Sequence, residues 1–265
     1  MLHESTGQRD QRSVPYVVVG PFRVLDATAA EVVEHVVDLA TAAVRPVLVY
    51  ALHVGGLNAR HDPAFAEAMA RADAVCADGG SVVWLAKAAG ARVIERAPTT
   101  DVGWQVLRRY AEALGRPVRL ALVGGPAGLS SRAAAVLAAD APVEVVLTDH
   151  GYHRDWDPTL RALREGHPDV VLLGMGAPAE MVWAERHRDR LPTALVLTCG
   201  GWFGHLVGDE RRAPAMLRRS GVEWIARVAQ SPRRLAPRYA RGLASTAVMT
   251  LCVLRPRMLR LVRPR

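Results

Sequence analysis

The strongest constraint on this chain is a rhythm. Short apolar runs alternate with helix-like segments of about 10–15 residues, and most of the runs open into glycine. The apolar runs fall at 46–52, 74–77, 118–123, 143–147, 170–173 and 195–198. Between them the pattern predicts helices over 29–43, 63–72, 81–89, 101–114, 129–139 and 157–166, and from Pro178 to about Arg190. Strands that alternate with helices build βαβ units, so the expected fold is α/β with a parallel sheet covered on both faces. Ahead of it, 16–19 and 22–25 flank Gly20-Pro21 and predict a β-hairpin.

In open α/β sheets, ligands bind beyond the carboxyl ends of the strands. Five glycine segments are expected there: Gly55-Gly56, Gly79-Gly80, Gly124-Gly125, Gly174-Met175-Gly176 and Gly200-Gly201. Glycine lets backbone N–H groups approach a phosphate, and each following helix presents its positive end. One such turn is structural more often than ligand-bearing, but five on one sheet edge point to an anionic ligand. The run 123–128 falls short of G-x-G-x-x-G, and no Walker motif occurs, which weakens a dinucleotide-dependent oxidoreductase reading.

Charge divides the chain in two. The total is +8, yet residues 211–265 hold 14 Arg, no Lys and only Glu223 as an acid, which is 14 − 1 = +13. The first 210 residues therefore carry 8 − 13 = −5. The tail also contains an apolar stretch over 243–254, followed by Arg255, Arg257, Arg260, Arg263 and Arg265. Arginine interleaved with apolar residues suits an anionic membrane surface better than nucleic acid, which needs the charge without the apolar face. The apolar run of about 13 residues is shorter than the roughly 20 a spanning helix requires. Cys76, Cys199 and Cys252 are too scattered for a zinc site or a disulfide framework and fit a reducing compartment. Residues 1–14 are expected as a flexible polar leader without a signal peptide, 15–210 as the core, and 211–265 as a basic helical appendage.

Several polar residues lie where chemistry is expected. Asp78 follows an apolar run and precedes glycine, so it can act as a general base, hold a sugar hydroxyl, or cap the helix at Ser81. Asp101 is equally an N-cap, and Arg96 lies on the same inter-element loop. His53 ends an apolar run at the same edge, where a lone histidine is more often structural. Glu180 opens a helix, where the macrodipole favours an acid. No metal-ligand spacing and no nucleophile elbow are present.

An ordered series of short motifs goes further. It comprises Asp62-Pro63, Ala72-Asp73, Asp78-Gly79, Glu95-Arg96, Thr100-Asp101, Gly124-Gly125, Gly151-Tyr152, Pro168-Asp169, Gly174-Met175-Gly176-Ala177-Pro178 and Arg212-Ala213-Pro214. It ends in Glu223-Trp224, Arg227, Pro232, Arg234 and Arg238-Tyr239. Over about residues 15–240 the chain resembles the WecG/TagA/CpsF glycosyltransferase family. The resemblance implies a Rossmann-like core and a metal-independent, inverting transfer without a cofactor. An N-acetylmannosamine-type sugar would move from a UDP donor to a polyprenyl-diphosphate-linked sugar at the cytoplasmic membrane face, during cell-surface polysaccharide synthesis. By that resemblance Asp78 is the catalytic base, with His53 as substitute or helper. Gly79, Arg96, Asp101, Gly124, Gly125, Tyr152, Gly176, Pro178 and Glu180 fall on the donor side. Arg212, Arg227, Arg233, Arg234 and Arg238 face the acceptor diphosphate and the departing UDP. Three positions depart from the family pattern: Tyr50-Ala51-Leu52 replaces its Thr-x-Asn, Ala179-Glu180-Met181 replaces its basic-Gln-Glu, and Phe203-Gly204 replaces its Phe-Asp. The departures leave room for another sugar nucleotide, or for a scaffold that binds nucleotide or lipid without turnover.

Overall fold

The computed structural model describes residues 14–209, 228 and 232–261. Its centre is a six-stranded parallel sheet in the order β4-β3-β8-β7-β5-β6. The strands are β3 (Val47–Leu52), β4 (Ala74–Ala77), β5 (Val118–Gly124), β6 (Val143–Asp149), β7 (Val170–Gly174) and β8 (Leu195–Thr198). A separate antiparallel hairpin pairs β1 (Tyr16–Val19) with β2 (Phe22–Leu25), as its sequence predicts.

Burial on both faces explains why the central strands read as continuous apolar runs. Leu48, Tyr50 and Leu52 of β3 enter one core, while Val47 and Val49 enter the other. Beside the second core lie α1 (Ala29–Thr41), α5 (Thr99–Leu114) and α6 (Leu129–Asp140); the first core takes the hairpin, α3 (Pro63–Ala70), α4 (Gly80–Ala89), α7 (Asp157–Gly166) and α8 (Ala179–Arg186). Local chemistry sets the helix ends. Thr28 and Glu31 form a reciprocal capping box on α1, Asp62 caps α3 through the Phe65 N–H, and Gly90 and Gly115 close α4 and α5 in left-handed conformations.

Two elements escape the periodicity reading. Gly55 and Gly56 are not an open phosphate turn but buried residues of the short α2 (Val54–Asn58). A Cβ on Gly56 would stand 2.7 Å from Leu52 Cδ1, so this glycine serves packing. The other is α9 (Trp202–Leu206), whose Trp202 and Phe203 are buried. Helix α5 also begins two residues before the expected start. Pro98 is its N-cap, and Asp101 lies within its first turn rather than capping it.

Two of the motif aspartates turn out to be architectural. Asp73 accepts from the Leu48 N–H at 2.8 Å and pairs with Arg45, while Asp169 accepts from the Arg119 N–H at 2.8 Å and pairs with Arg116. Both sit at the amino ends of strands, away from the edge expected to bind ligand. Cys76 and Cys199 are buried free thiols.

The C-terminal helix α10 (Pro232–Leu261) packs along the first face. Gly242 rests against Val54, where a Cβ would collide with the Val54 side chain. Ser245 donates to Asn58 Oδ1 at 3.3 Å and accepts from Arg60 at 3.0 Å, and Met249 lies under the hairpin turn at Gly20. Leu243, Val248 and Leu251 stay exposed. No described helix is long and apolar enough to cross a membrane.

Candidate active site

The chain runs outward twice, from β3 to β4 and from β5 to β6, and later fills the middle with β7 and β8. The carboxyl ends of β3, β8, β7 and β5 therefore line the crevice where the two directions part. Five of the expected site segments meet at this edge: His53, Asp78-Gly79, Gly124-Gly125, residues 174–178 and residues 199–201.

Asp78 is half-buried. Its N–H donates to the Leu52 carbonyl at 2.9 Å, and the preceding Ala77 carbonyl accepts from Ala97 at 2.8 Å. The N-cap of the following helix is Gly79, so Asp78 stands one residue ahead of the cap position. Gly79 abuts His53, since a Cβ there would lie 3.4 Å from His53 Cα. His53 is the N-cap of α2, and its Nδ1 accepts from the Gly55 N–H at 2.9 Å. That bond places the neutral ring's proton on Nε2. Neutral His53 thus presents a donor, not a base, and Asp78 is the carboxylate suited to accept a proton.

The glycine turns differ from a row of open phosphate cradles. Gly125 donates its N–H to the Gly174 carbonyl at 3.0 Å. Gly124 has φ +149° and runs so close to β7 that a Cβ would stand 2.5 Å from the Gly174 carbonyl carbon, so no other residue fits. Glu180 takes the amides at the ends of β7 and β8. Its Oε2 accepts from Gly176 at 2.9 Å, Gly200 at 3.1 Å and Met175 at 3.2 Å. The side chain is 2% exposed. Burial, with a smaller push from the charge of Asp78, raises its pKa to about 7 against the pull of these three bonds. Pro178, in cis linkage to Ala177, is the N-cap of the helix that carries Glu180.

Beside the crevice, Thr99 donates to the Thr198 carbonyl at 2.7 Å, while Thr198 Oγ1 accepts from the Ala51 N–H at 3.0 Å. These bonds dock the start of α5 on β8 and β3. Arg96 and Asp101 face each other at 3.9 Å on that segment. Phe203 is buried against Gly174, a core contact.

Sequence reading singled out Gly151 and Tyr152 in the loop after β6 but not Asp149, His150 and His153 around them. Asp149 accepts from the His150 N–H at 2.8 Å, from His153 Nε2 at 2.9 Å and from the Thr159 hydroxyl at 2.5 Å. Burial alone would raise its pKa, but these bonds outweigh burial and hold it below the ordinary value. Ligand atoms of Asp149, His150 and His153 lie within 4.8 Å of one another, a spacing that suggests a metal. The two imidazoles, however, are stacked 3.9 Å apart and 14° from parallel. Ring lone pairs lie in the ring plane, so parallel stacked rings do not converge on one ion as they stand. Asp and His at i and i+4 after a strand is the signal that could have flagged the loop. Gly151 packs on the Gly124-Gly125 turn, and Tyr152 is 76% exposed beside it.

Of the tail arginines, Arg212 and Arg227 lie outside the described residues, as does most of the helix expected over 222–229. Arg233, Arg234 and Arg238 fall on α10, and Arg233 is exposed. Positions 238 and 234 come one and two turns before Gly242, which meets the residue following His53.

Residues 17–260 match the sequence model of the Glycosyl transferase WecG/TagA/CpsF family. The chain is 24% identical over 180 residues to an N-acetylglucosaminyldiphosphoundecaprenol N-acetyl-beta-D-mannosaminyltransferase of Bacillus spizizenii, covering 68% of this chain and 69% of that protein.

Proposed function

The chain belongs to the WecG/TagA/CpsF glycosyltransferase family, and we propose that it moves an N-acetylmannosamine-type sugar from a UDP donor to a polyprenyl-diphosphate-linked N-acetylglucosamine. The name of the Bacillus spizizenii relative supports this acceptor and this sugar. The observation that carries the reading is Asp78: a half-buried carboxylate at the crevice, one residue ahead of the Gly79 helix cap, close to a histidine whose Nδ1 is already engaged.

In the proposed reaction, Asp78 takes the proton of the acceptor hydroxyl as its oxygen attacks the anomeric carbon. The bond between that carbon and the UDP oxygen breaks, and its electron pair leaves with UDP. Attack from the face opposite the leaving group inverts the anomeric centre. His53 Nε2–H donates to a substrate oxygen. Gly79, Arg96, Asp101, Gly124, Gly125, Gly176, Pro178 and Tyr152 border the donor. Negative charge grows on the departing diphosphate, and cationic side chains of the appendage, Arg212, Arg227, Arg233, Arg234 and Arg238, offset it without a metal ion. The same appendage, from about residue 211, meets the anionic bilayer that holds the lipid acceptor. The exposed Leu243, Val248 and Leu251 and the terminal arginines support that role.

The test is UDP release across a panel of UDP-sugars, with polyprenyl-diphosphate-N-acetylglucosamine as acceptor. The expected result is acceptor-dependent release from UDP-N-acetylmannosamine. No acceptor-dependent release from any UDP-sugar would overturn the reading and favour a scaffold that only binds.

A further inference from the structure

Where the two middle strands end, the protein supplies its own anion. Loops 174–178 and 199–201 turn three amides toward one point, and Glu180 Oε2 occupies it. The loops follow different strands, so this single oxygen ties the end of β7 to the end of β8. The carboxylate is buried, and its field is felt by Asp78 at the end of β4 and by the Cys199 thiol at the end of β8, which burial and Glu180 together push well above its ordinary value. A group with three amide donors and no solvent has no need of a substrate contact to explain its position.

We propose that Glu180 is a positioning residue of the transfer reaction: it locks loops 174–178 and 199–201 together, and its negative charge, at the same sheet edge as Asp78, strengthens that carboxylate as a base. The proposal rests on Asp78 being the base. In the ionised state Glu180 opposes a second negative charge nearby, so Asp78 holds a proton more tightly and removes one from the acceptor more readily. In the protonated state the loop bonds remain, because Oε2 still accepts, but that assistance is lost. Since burial brings the Glu180 transition close to neutrality, the effect falls within the working range of pH.

Two variants separate the parts. Glu180→Gln keeps an acceptor oxygen for the three amides and removes the charge. Glu180→Ala removes both. The wild-type kcat/KM for acceptor-dependent UDP release is expected to rise severalfold between pH 6 and 8 with an apparent pKa near 7, and Glu180→Gln to be flat across that range. Amide exchange at Met175, Gly176 and Gly200 is expected to be near wild-type in Glu180→Gln and at least tenfold faster in Glu180→Ala. A Glu180→Gln enzyme that keeps the wild-type rise would overturn the electrostatic role, and unchanged exchange in Glu180→Ala would overturn the locking role. The exchange arm reads the loops without any turnover, so it stands or falls separately from the Asp78 mechanism. If Asp78→Asn keeps turnover while the exchange result holds, the base assignment has failed and the loop lock has not.

Discussion

Replacing Glu180 by Gln removes one charge and almost no volume, so the change isolates the cost of keeping a buried carboxylate. An unfolded glutamate titrates at its ordinary value of 4.5, and in the folded protein burial pushes Glu180 up to about 7. The difference of about 2.5 units, at 1.36 kcal/mol per unit, corresponds to roughly 3 kcal/mol. For a raised carboxyl, the folded state holds a proton that the unfolded state has released. The linked stability is therefore complete below pH 4.5 and is lost as pH rises through about 7. Between pH 5 and pH 8 the wild type should lose about 2.5 kcal/mol through this group alone, and Glu180→Gln should lose none of it. The assay is urea unfolding of both proteins at pH 5, 6, 7 and 8. Titrating groups that do not feel Glu180 are common to the pair and cancel, and so does any pH-independent cost of fitting the new amide. The stability of Glu180→Gln relative to wild type should climb by about 2–3 kcal/mol across the range. A difference that stays constant within 0.5 kcal/mol or so would refute a carboxyl whose ionisation is suppressed by burial.

Other predictions probe the pieces around this centre. Gly242→Val brings a side chain into Val54 at the α10–α2 seam; overpacking of this kind costs about 1–3 kcal/mol, so limited proteolysis should cut the C-terminal helix faster while the sheet stays intact. His53→Ala removes the α2 cap and should cost about 1 kcal/mol in urea unfolding, whereas His53→Asn keeps a capping oxygen and should recover most of that stability but not the turnover. Replacing Arg255, Arg257 and Arg260 together by Gln should weaken binding to anionic vesicles by about 3 kcal/mol, roughly a hundredfold, with no change on neutral vesicles in a flotation assay.

The sheet was legible because its physics is local and repetitive. Strands buried on both faces need unbroken apolar runs, and helices between them need caps and glycine stops, so Asp62, Gly90 and Gly115 could be read directly, while the Thr28–Glu31 capping box emerged only in the structure. Glycine proved ambiguous. Gly55-Gly56 and Gly124-Gly125 look alike in the chain, yet one pair is buried in a helix for packing and the other bends past β7. Only the fold tells a glycine that approaches a phosphate from one that approaches another backbone. Polar partnerships were hidden for a related reason. Glu180 suits a helix N-terminus whatever it contacts, and its bond to Gly200 spans 20 residues that no periodicity links. His150 and His153 were overlooked because a spacing of three and four matters only once the loop brings both rings to Asp149. The motif series, by contrast, identified the family from order alone, although the structure assigns Asp73 and Asp169 to strand bracing at the opposite edge.

The proposed chemistry converges on one carboxylate. The direct measurement is the rate of sugar transfer to polyprenyl-diphosphate-N-acetylglucosamine by Asp78→Asn, alongside its circular dichroism and its affinity for UDP. The proposed mechanism predicts a fall in kcat of about 10²–10⁴-fold, the usual contribution of a positioned base, with fold and nucleotide affinity retained. Turnover within a few-fold of wild type in a folded Asp78→Asn protein would contradict it.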